Sequence, residues 1–258
     1  MRKNAVTTLL LIVLGLAYWP VQPWLANASS LGKLDASAQH ISYLPLGDSY
    51  TIGRGLCQSQ NWPHQLATWL AVNDYQQLDI VDEPAVSGYT SDMLIQQELP
   101  EVARYQPDFV TVMIGTNDVI HHARMDSFRQ NLVDILATIR ASDPHAEILL
   151  ANIPDISITP HAQTGIFGST EELASQVQTA NQIIHQVGVI YDVPVADVYD
   201  ASQSSISDPQ FLVRDDFHPN AAGYNIWVNS ITQTIIDSQL LVHAHDNGNA
   251  QLPGLPSF

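Results

Sequence analysis

Residues 109–114, Phe-Val-Thr-Val-Met-Ile, constrain this chain more than any other stretch. The run is apolar and β-branched almost without a break, which is how a strand buried on both faces of a parallel sheet reads. Parallel strands need long crossovers, usually helical, so the rest of the chain should alternate strand and helix. Residues 41–46, 78–81, 147–153 and 193–198 supply four more apolar segments of strand length, the last interrupted by Pro194, which suggests a sheet edge. Helical patterns lie between them. Asn61 is placed to cap a helix with Pro63 in its first turn and Leu66, Trp69 and Leu70 at helical spacing. Thr90 or Ser91 opens another, which carries Met93, Leu94 and Ile95 and stops before Pro100. Residues 125–139 put Phe128, Leu132, Ile135, Leu136 and Ile139 on one face. Ser169 or Thr170 opens a helix to about Val189, with Glu171 and Glu172 where the dipole favours acids. Pro219 stands at the start of a final helix reaching about Leu240. This order predicts an α/β fold with a central, mainly parallel, five-stranded sheet.

The chain has 258 residues, 45% of them hydrophobic, enough for one sizeable core. Nothing within residues 41–240 reads as a domain boundary or a repeat. Residues 1–28 read as a secretory signal: Arg2 and Lys3, an apolar core from Leu9 to Trp19, and Ala26-Asn-Ala28 ahead of Ser29. The apolar core is short for a membrane span, and the rival reading is a retained anchor. Cleavage removes Arg2 and Lys3 and no acid, so the formal charge of -17 becomes -19. Residues 29–40 read as a Ser/Ala-rich linker and 241–258 as a poorly ordered tail with Gly248, Pro253 and Pro256. So acidic a surface repels nucleic acid and anionic membranes, which argues against a phosphate-backbone partner. The single cysteine, Cys57, excludes an intrachain disulfide; it reads as a small buried hydrophobe, with a thiol nucleophile as the rival reading.

Four stretches fall at carboxyl ends of strands, the edge where α/β sheets bind ligands. The first is Leu44-Pro-Leu-Gly-Asp-Ser-Tyr-Thr-Ile-Gly53, whose apolar run stops at Gly47, Asp48 and Ser49. The others are the loop with Ser87-Gly88, the turn Gly115-Thr-Asn-Asp118, and Arg214-Asp-Asp-Phe-His-Pro219. Each has a plain reading alone: a turn, a positive φ, a strand terminator, a helix cap. Together they meet a chemical need. A serine hydroxyl is a poor nucleophile until a base takes its proton, and His218 can be the base of Ser49. Asp215, three residues earlier, can bind the far imidazole nitrogen and fix its tautomer. The N–H groups of Ser49 and Gly88 and the Asn117 amide can receive an oxyanion.

Leu46-Gly-Asp-Ser-Tyr50, Ser87-Gly88, Gly115-Thr-Asn-Asp118 and Asp215-Asp-Phe-His-Pro219 closely resemble the four blocks of the SGNH (GDSL-type) hydrolases, in the family's order. The resemblance implies a flavodoxin-like three-layer α/β/α sandwich and ester hydrolysis through an acyl-enzyme. It makes Ser49 the nucleophile, Ser49, Gly88 and Asn117 the oxyanion donors, and Asp215 and His218 the rest of the triad, with no metal or organic cofactor. Tyr50 stands where the family's nickname has leucine. The family spacing favours Asp215 over Asp216 as the triad acid. Asp48 and Asp118 are expected to orient loops. His121 and His122 read as exposed loop residues, with a pocket mouth as the rival reading; His243-Ala-His245-Asp246 reads as an isolated pair in the tail, with a metal site as the rival reading.

The expected function is that of a secreted serine esterase acting on a small-molecule, lipid or glycan ester. The first rival is a carbohydrate O-deacetylase or O-acyltransferase using the same site; the second is a non-catalytic binding module. Of the five tryptophans, Trp19 and Trp24 fall in the leader, and Trp62, Trp69 and Trp227 sit at helical spacing that suits a core. Loops 50–60, 119–125 and 154–168 mix Gln58 and Gln60 with Ile156, Ile158, Ile166 and Phe167, a lining that leaves lipid, aryl and sugar esters all open.

Overall fold

The computed structural model describes residues 40–241. The leader, all of the linker before His40, and the tail beyond Leu241, with His243, His245 and Asp246, lie outside them. Five strands form one all-parallel sheet in the order β2-β1-β3-β4-β5: β1 (His40–Gly47), β2 (Gln77–Ile80), β3 (Phe109–Met113), β4 (Glu147–Ala151) and β5 (Val195–Ala196). Every residue of β3 is buried, as an interior strand covered on both faces requires.

The chain leaves β1 in one direction to make β2, then reverses and adds β3, β4 and β5 on the other side. Right-handed crossovers put the connections of the two directions on opposite faces. One layer holds α2 (Trp62–Val72) packed on α10 (Ala221–Asp237), which also touches α9 (Val198–Gln203). The other holds α6 (Met125–Ser142), packed on α8 (Thr170–Tyr191), α3 (Ser91–Gln97) and α4 (Leu99–Tyr105). The result is a three-layer α/β/α sandwich with the flavodoxin strand order. The helices bury the faces their spacing predicts: Leu66 and Leu70 of α2, and Phe128, Leu132, Ile135, Leu136 and Ile139 of α6. Each such leucine contributes about 2 kcal/mol of burial.

Caps fix the helix starts. The Asn61 side chain accepts from the His64 N–H, Thr90 from Met93 and Ser169 from Glu172. The last helix begins later than Pro219, because Asn220 is its cap and accepts from Ala222 and Gly223. The helix opened at Ser91 ends at Gln97, before Pro100, but Pro100 belongs to a further helix. It stands at the second position of α4, where its missing N–H costs nothing. The last strand is only two residues long, because Asp197 turns the chain and caps α9 through the Asp200 N–H. The stretch 154–168 holds a 3₁₀ turn (Ile156–Ile158) and α7 (Pro160–Gln163). No described helix is long and apolar enough to cross a membrane.

Candidate active site

The reversal between β1 and β3 leaves a crevice at their carboxyl ends, the place where such sheets bind ligands. Ser49 opens α1 (Ser49–Ile52), directly after β1. The turn is tight: a Cβ on Gly47 would collide with Thr51 Oγ1 and the Met113 carbonyl. Asp48 caps the helix, its Oδ1 accepting the Tyr50 N–H at 3.0 Å. Ser49 is only 5% exposed.

His218 reaches Ser49 from 169 residues away, with Nε2 at 2.8 Å from Oγ. Its Nδ1 lies 2.7 Å from Asp215 Oδ2. A proton on Nδ1, donated to that carboxylate, leaves Nε2 as acceptor for the serine hydroxyl. Asp215 Oδ1 also accepts the N–H groups of Phe217 and His218, each at 3.0 Å. Leu212 and Pro219 bridge across the base of this loop, and the Val213 N–H bonds the His218 carbonyl. Burial would raise the Asp215 carboxyl, but bonds from the His218 backbone and ring, and attraction to the imidazole, outweigh it and hold the carboxyl below its usual value. Burial lowers the His218 imidazole, against the pull of Asp215, so at neutral pH it is the free base. Asp216 takes a left-handed conformation; its carbonyl accepts the His161 N–H and its own N–H donates to the Val213 carbonyl.

The fully buried Tyr50 ring lies 5.0 Å from the His218 ring, and its hydroxyl donates to the Phe217 carbonyl at 3.3 Å. The residue that departs from the leucine of the family's nickname thus supports the histidine from behind. Phe217 stands edge-on to His218 at 5.0 Å and packs against Phe167 and His161, at 5.5 and 5.7 Å. The 154–168 loop is thereby tied to the histidine loop by an aromatic cluster.

Asn117 lies in α5 (Thr116–Ile120), at the end of β3. Its Nδ2 donates to the Tyr89 carbonyl at 2.9 Å and to Asp48 Oδ2 at 3.3 Å. One amide therefore joins the nucleophile turn to the residue after Gly88. Gly88 is exposed with φ +93°, and nothing lies where its side chain would be. Asp118 accepts both the N–H and the hydroxyl of Ser91, at 2.9 and 2.6 Å, and so pins the start of α3 to α5. Asp48 and Asp118 orient these loops, as the sequence predicts. Burial raises both carboxyls, Asp48 up to about 7 against the bond from Tyr50.

Several expectations end differently. Cys57 is exposed rather than buried, because it stands in the loop after α1, ahead of a 3₁₀ turn over Gln58–Gln60. Trp62 and Trp227 are fully buried and Trp69 packs on Tyr75; the described rings against His218 are Tyr50 and Phe217, with His161 and Phe167 packed on Phe217. His121 and His122 are exposed. Among the described residues no group of three or more His, Cys, Asp and Glu side chains is arranged to hold a metal ion. The sequence reading misses Glu98, a fully buried acid whose Oε2 accepts the Gly47 N–H at 2.8 Å. A charged residue near a helix end reads as a solvated one, and only the packing shows otherwise.

The sequence pattern of the GDSL-like Lipase/Acylhydrolase family matches residues 46–226, the span that carries all of these groups. A multidomain esterase of Ruminococcus flavefaciens is 25% identical over 233 residues, which cover 76% of this chain and 28% of that protein. The chain thus spans less than a third of that relative's length. A lipase/acylhydrolase from Enterococcus faecalis has a similar structure, with TM-score 0.63 and 20% identity over 79% of this chain and 98% of its own. So does an acetylxylan esterase from Geobacillus stearothermophilus, with TM-score 0.61 and 19% identity over 77% of this chain and 96% of its own.

Proposed function

The chain belongs to the GDSL-like lipase/acylhydrolase family, and from that membership we propose that it hydrolyses carboxylic esters through an acyl-enzyme on Ser49. The observation that carries the reading is the unbroken contact from Ser49 Oγ to His218 Nε2, at 2.8 Å, and from Nδ1 to Asp215 Oδ2, at 2.7 Å. Ser49 Oγ attacks the ester carbonyl carbon as its proton passes to Nε2. Asp215 stabilises the imidazolium without taking its proton. The oxyanion is received by the N–H groups of Ser49 and Gly88 and by Asn117 Nδ2, which gives up its longer bond to Asp48. His218 returns the proton to the departing alkoxide, releasing the alcohol. Water then attacks the acyl-enzyme with His218 again as base, and the acid leaves.

Fluorophosphonate labelling and turnover of p-nitrophenyl acetate test this reading. Ser49→Ala is expected to lose the label and at least about 10³-fold in kcat. Near-wild-type turnover in that variant sinks it.

A second reading keeps the site and makes the ester a glycan O-acetyl group, cleaved or passed to a sugar hydroxyl. It is favoured by the half-buried His161 and Phe167 rings, which pack on Phe217, the ring next to the histidine that must protonate the leaving alcohol. Rings of this kind suit a cyclic alcohol. Acetate release from acetylated xylan, measured beside a series of p-nitrophenyl esters from acetyl to palmitoyl, separates the readings. Export is also part of the proposal, supported by Arg2, Lys3 and the apolar run to Trp19. Protein recovered outside the cell and beginning at Ser29 is the expected result.

A further inference from the structure

Parallel strands direct the N–H and C=O of alternate residues to the same neighbour. In β1 the Tyr43 carbonyl accepts the Val81 N–H at 2.9 Å, so Tyr43, Pro45 and Gly47 all face the β2 side. But β2 ends at Ile80, opposite Tyr43. Beyond that point the side has no strand. Pro45 has no N–H to strand there. Gly47 does, and Gly47 is buried. A buried N–H without an acceptor is costly.

Its acceptor is Glu98, 51 residues on, at the junction where α3 stops and α4 starts. The side chain is fully buried, Oε2 takes the Gly47 N–H at 2.8 Å, and Oε1 has no protein partner. On its other side Gly47 pairs with Met113 of β3. Two residues later comes Ser49.

We propose that Glu98 is a positioning residue of the hydrolytic site: its carboxyl stands in for the missing strand, holds the Gly47 N–H, and so fixes the bend that aims Ser49 at His218. The proposal rests on the reading of Ser49 as nucleophile. Glu98 touches no reacting atom and acts through Gly47 alone.

The chemistry of the pocket adds a signature. Burial lifts the Glu98 carboxyl to about 8, against the bond from Gly47 and with the charge of Asp48 adding to it. Asp48, on the same turn, is the acid that acts on Glu98, and Asp118 from α5 acts in turn on Asp48. Glu98 is therefore neutral at pH 7. Its ionisation places a second charge in a turn where Asp48 is already charged.

Two variants and two readouts test this. In Glu98→Ala, kcat is expected to fall about tenfold or more with KM within about twofold, as misaimed groups slow chemistry rather than binding. The Gly47 amide should exchange with deuterium faster. In Glu98→Gln the amide oxygen accepts the same N–H, so kcat at pH 7 stays within about threefold of wild type and the exchange stays slow. Wild type is expected to decline in kcat above about pH 8, and that variant should lack the decline. A folded Glu98→Ala protein with wild-type kcat overturns the proposal, as does a Glu98→Gln protein with the wild-type alkaline limb. If Glu98→Ala does not fold, Glu98→Gln decides through its pH profile. Amide exchange keeps the two readings apart. Slow exchange at Gly47 that depends on Glu98, in a protein that cleaves no ester, supports the stand-in strand and overturns the esterase. Exchange indifferent to Glu98 in an active enzyme does the reverse.

Discussion

Burial, helped by Arg54 and His161, lowers the His218 pKa against the pull of the Asp215 carboxylate, and the lowering prevails. A lowered imidazole pKa means that the base stays unprotonated further into acid than a free histidine. The acid limb of kcat/KM is therefore expected to turn below about pH 6.5, and a limb centred above that value contradicts the ordering. Asn117 sits under a different constraint. Both hydrogens of its amide are engaged, the one toward Asp48 more weakly, so that hydrogen is the one to follow a developing oxyanion. Replacing Asn117 by Ala should cost about 10²- to 10³-fold in kcat, measured in single turnovers where acylation is isolated. Cys57 is exposed in a loop and makes no contact with His218. Its alkylation by iodoacetamide is expected to leave turnover unchanged; loss of activity in proportion to labelling would return the thiol to consideration. At this scale the residues that meet at the sheet edge were legible because their chemistry is local: a small turn after an apolar run, an acid three residues before a histidine. Tyr50 and Glu98 were not, because their roles come from what packs on them across 167 and 51 residues.

Three strands end within two residues of a helix cap, at Asp48, Gly115 and Asp197, and such junctions govern what can be read from sequence. β3 was unambiguous, because burial on both faces leaves no polar position. α2 was legible from its cap and its proline together. α4 was not, since a proline after a helical stretch reads as a stop, although the first turn of a new helix accepts it equally well. β5 is shorter than its apolar run suggests, because Val198 continues the run although Asp197 has already begun α9. The β1–α1 corner is the tightest of these junctions. Gly47→Ala drives a methyl group into Thr51 and the Met113 carbonyl, both parts of rigid elements. The expected result is a loss of about 1–3 kcal/mol in chemical denaturation, the usual cost of overpacking a core. A variant within 0.5 kcal/mol (about the scatter for surface substitutions) would show that the corner yields.

For the molecule as a whole, the buried acids set the dependence of stability on pH. Asp48 moves from 3.8 to about 7 on folding and Glu98 from 4.5 to about 8. Below their unfolded values both carboxyls are neutral in either state. As pH rises, the unfolded chain ionises first, so the folded state loses ground up to the folded pKa values. Asp215 works in the other direction, since its lowered pKa stabilises above 3.8 and is lost toward acid. His218 also favours higher pH, through the window below 6.5. The two large carboxyl shifts prevail between about pH 5 and 8. Thermal melts should therefore fall across that window while activity rises with deprotonation of His218, and Glu98→Gln should flatten the slope. A wild-type melting temperature that rises from pH 5 to 8 contradicts this. The distance along the chain between Ser49 and His218 has a kinetic consequence. The bond between them closes a segment of 169 residues that carries β2, β3, β4 and β5. Helices form locally and early, whereas contacts of long sequence separation wait for loop closure. In refolding from denaturant, far-UV circular dichroism should recover first, and hydrolysis should return only when the two ends of the fold have met. Turnover then serves as a clock for the last long-range contact to close.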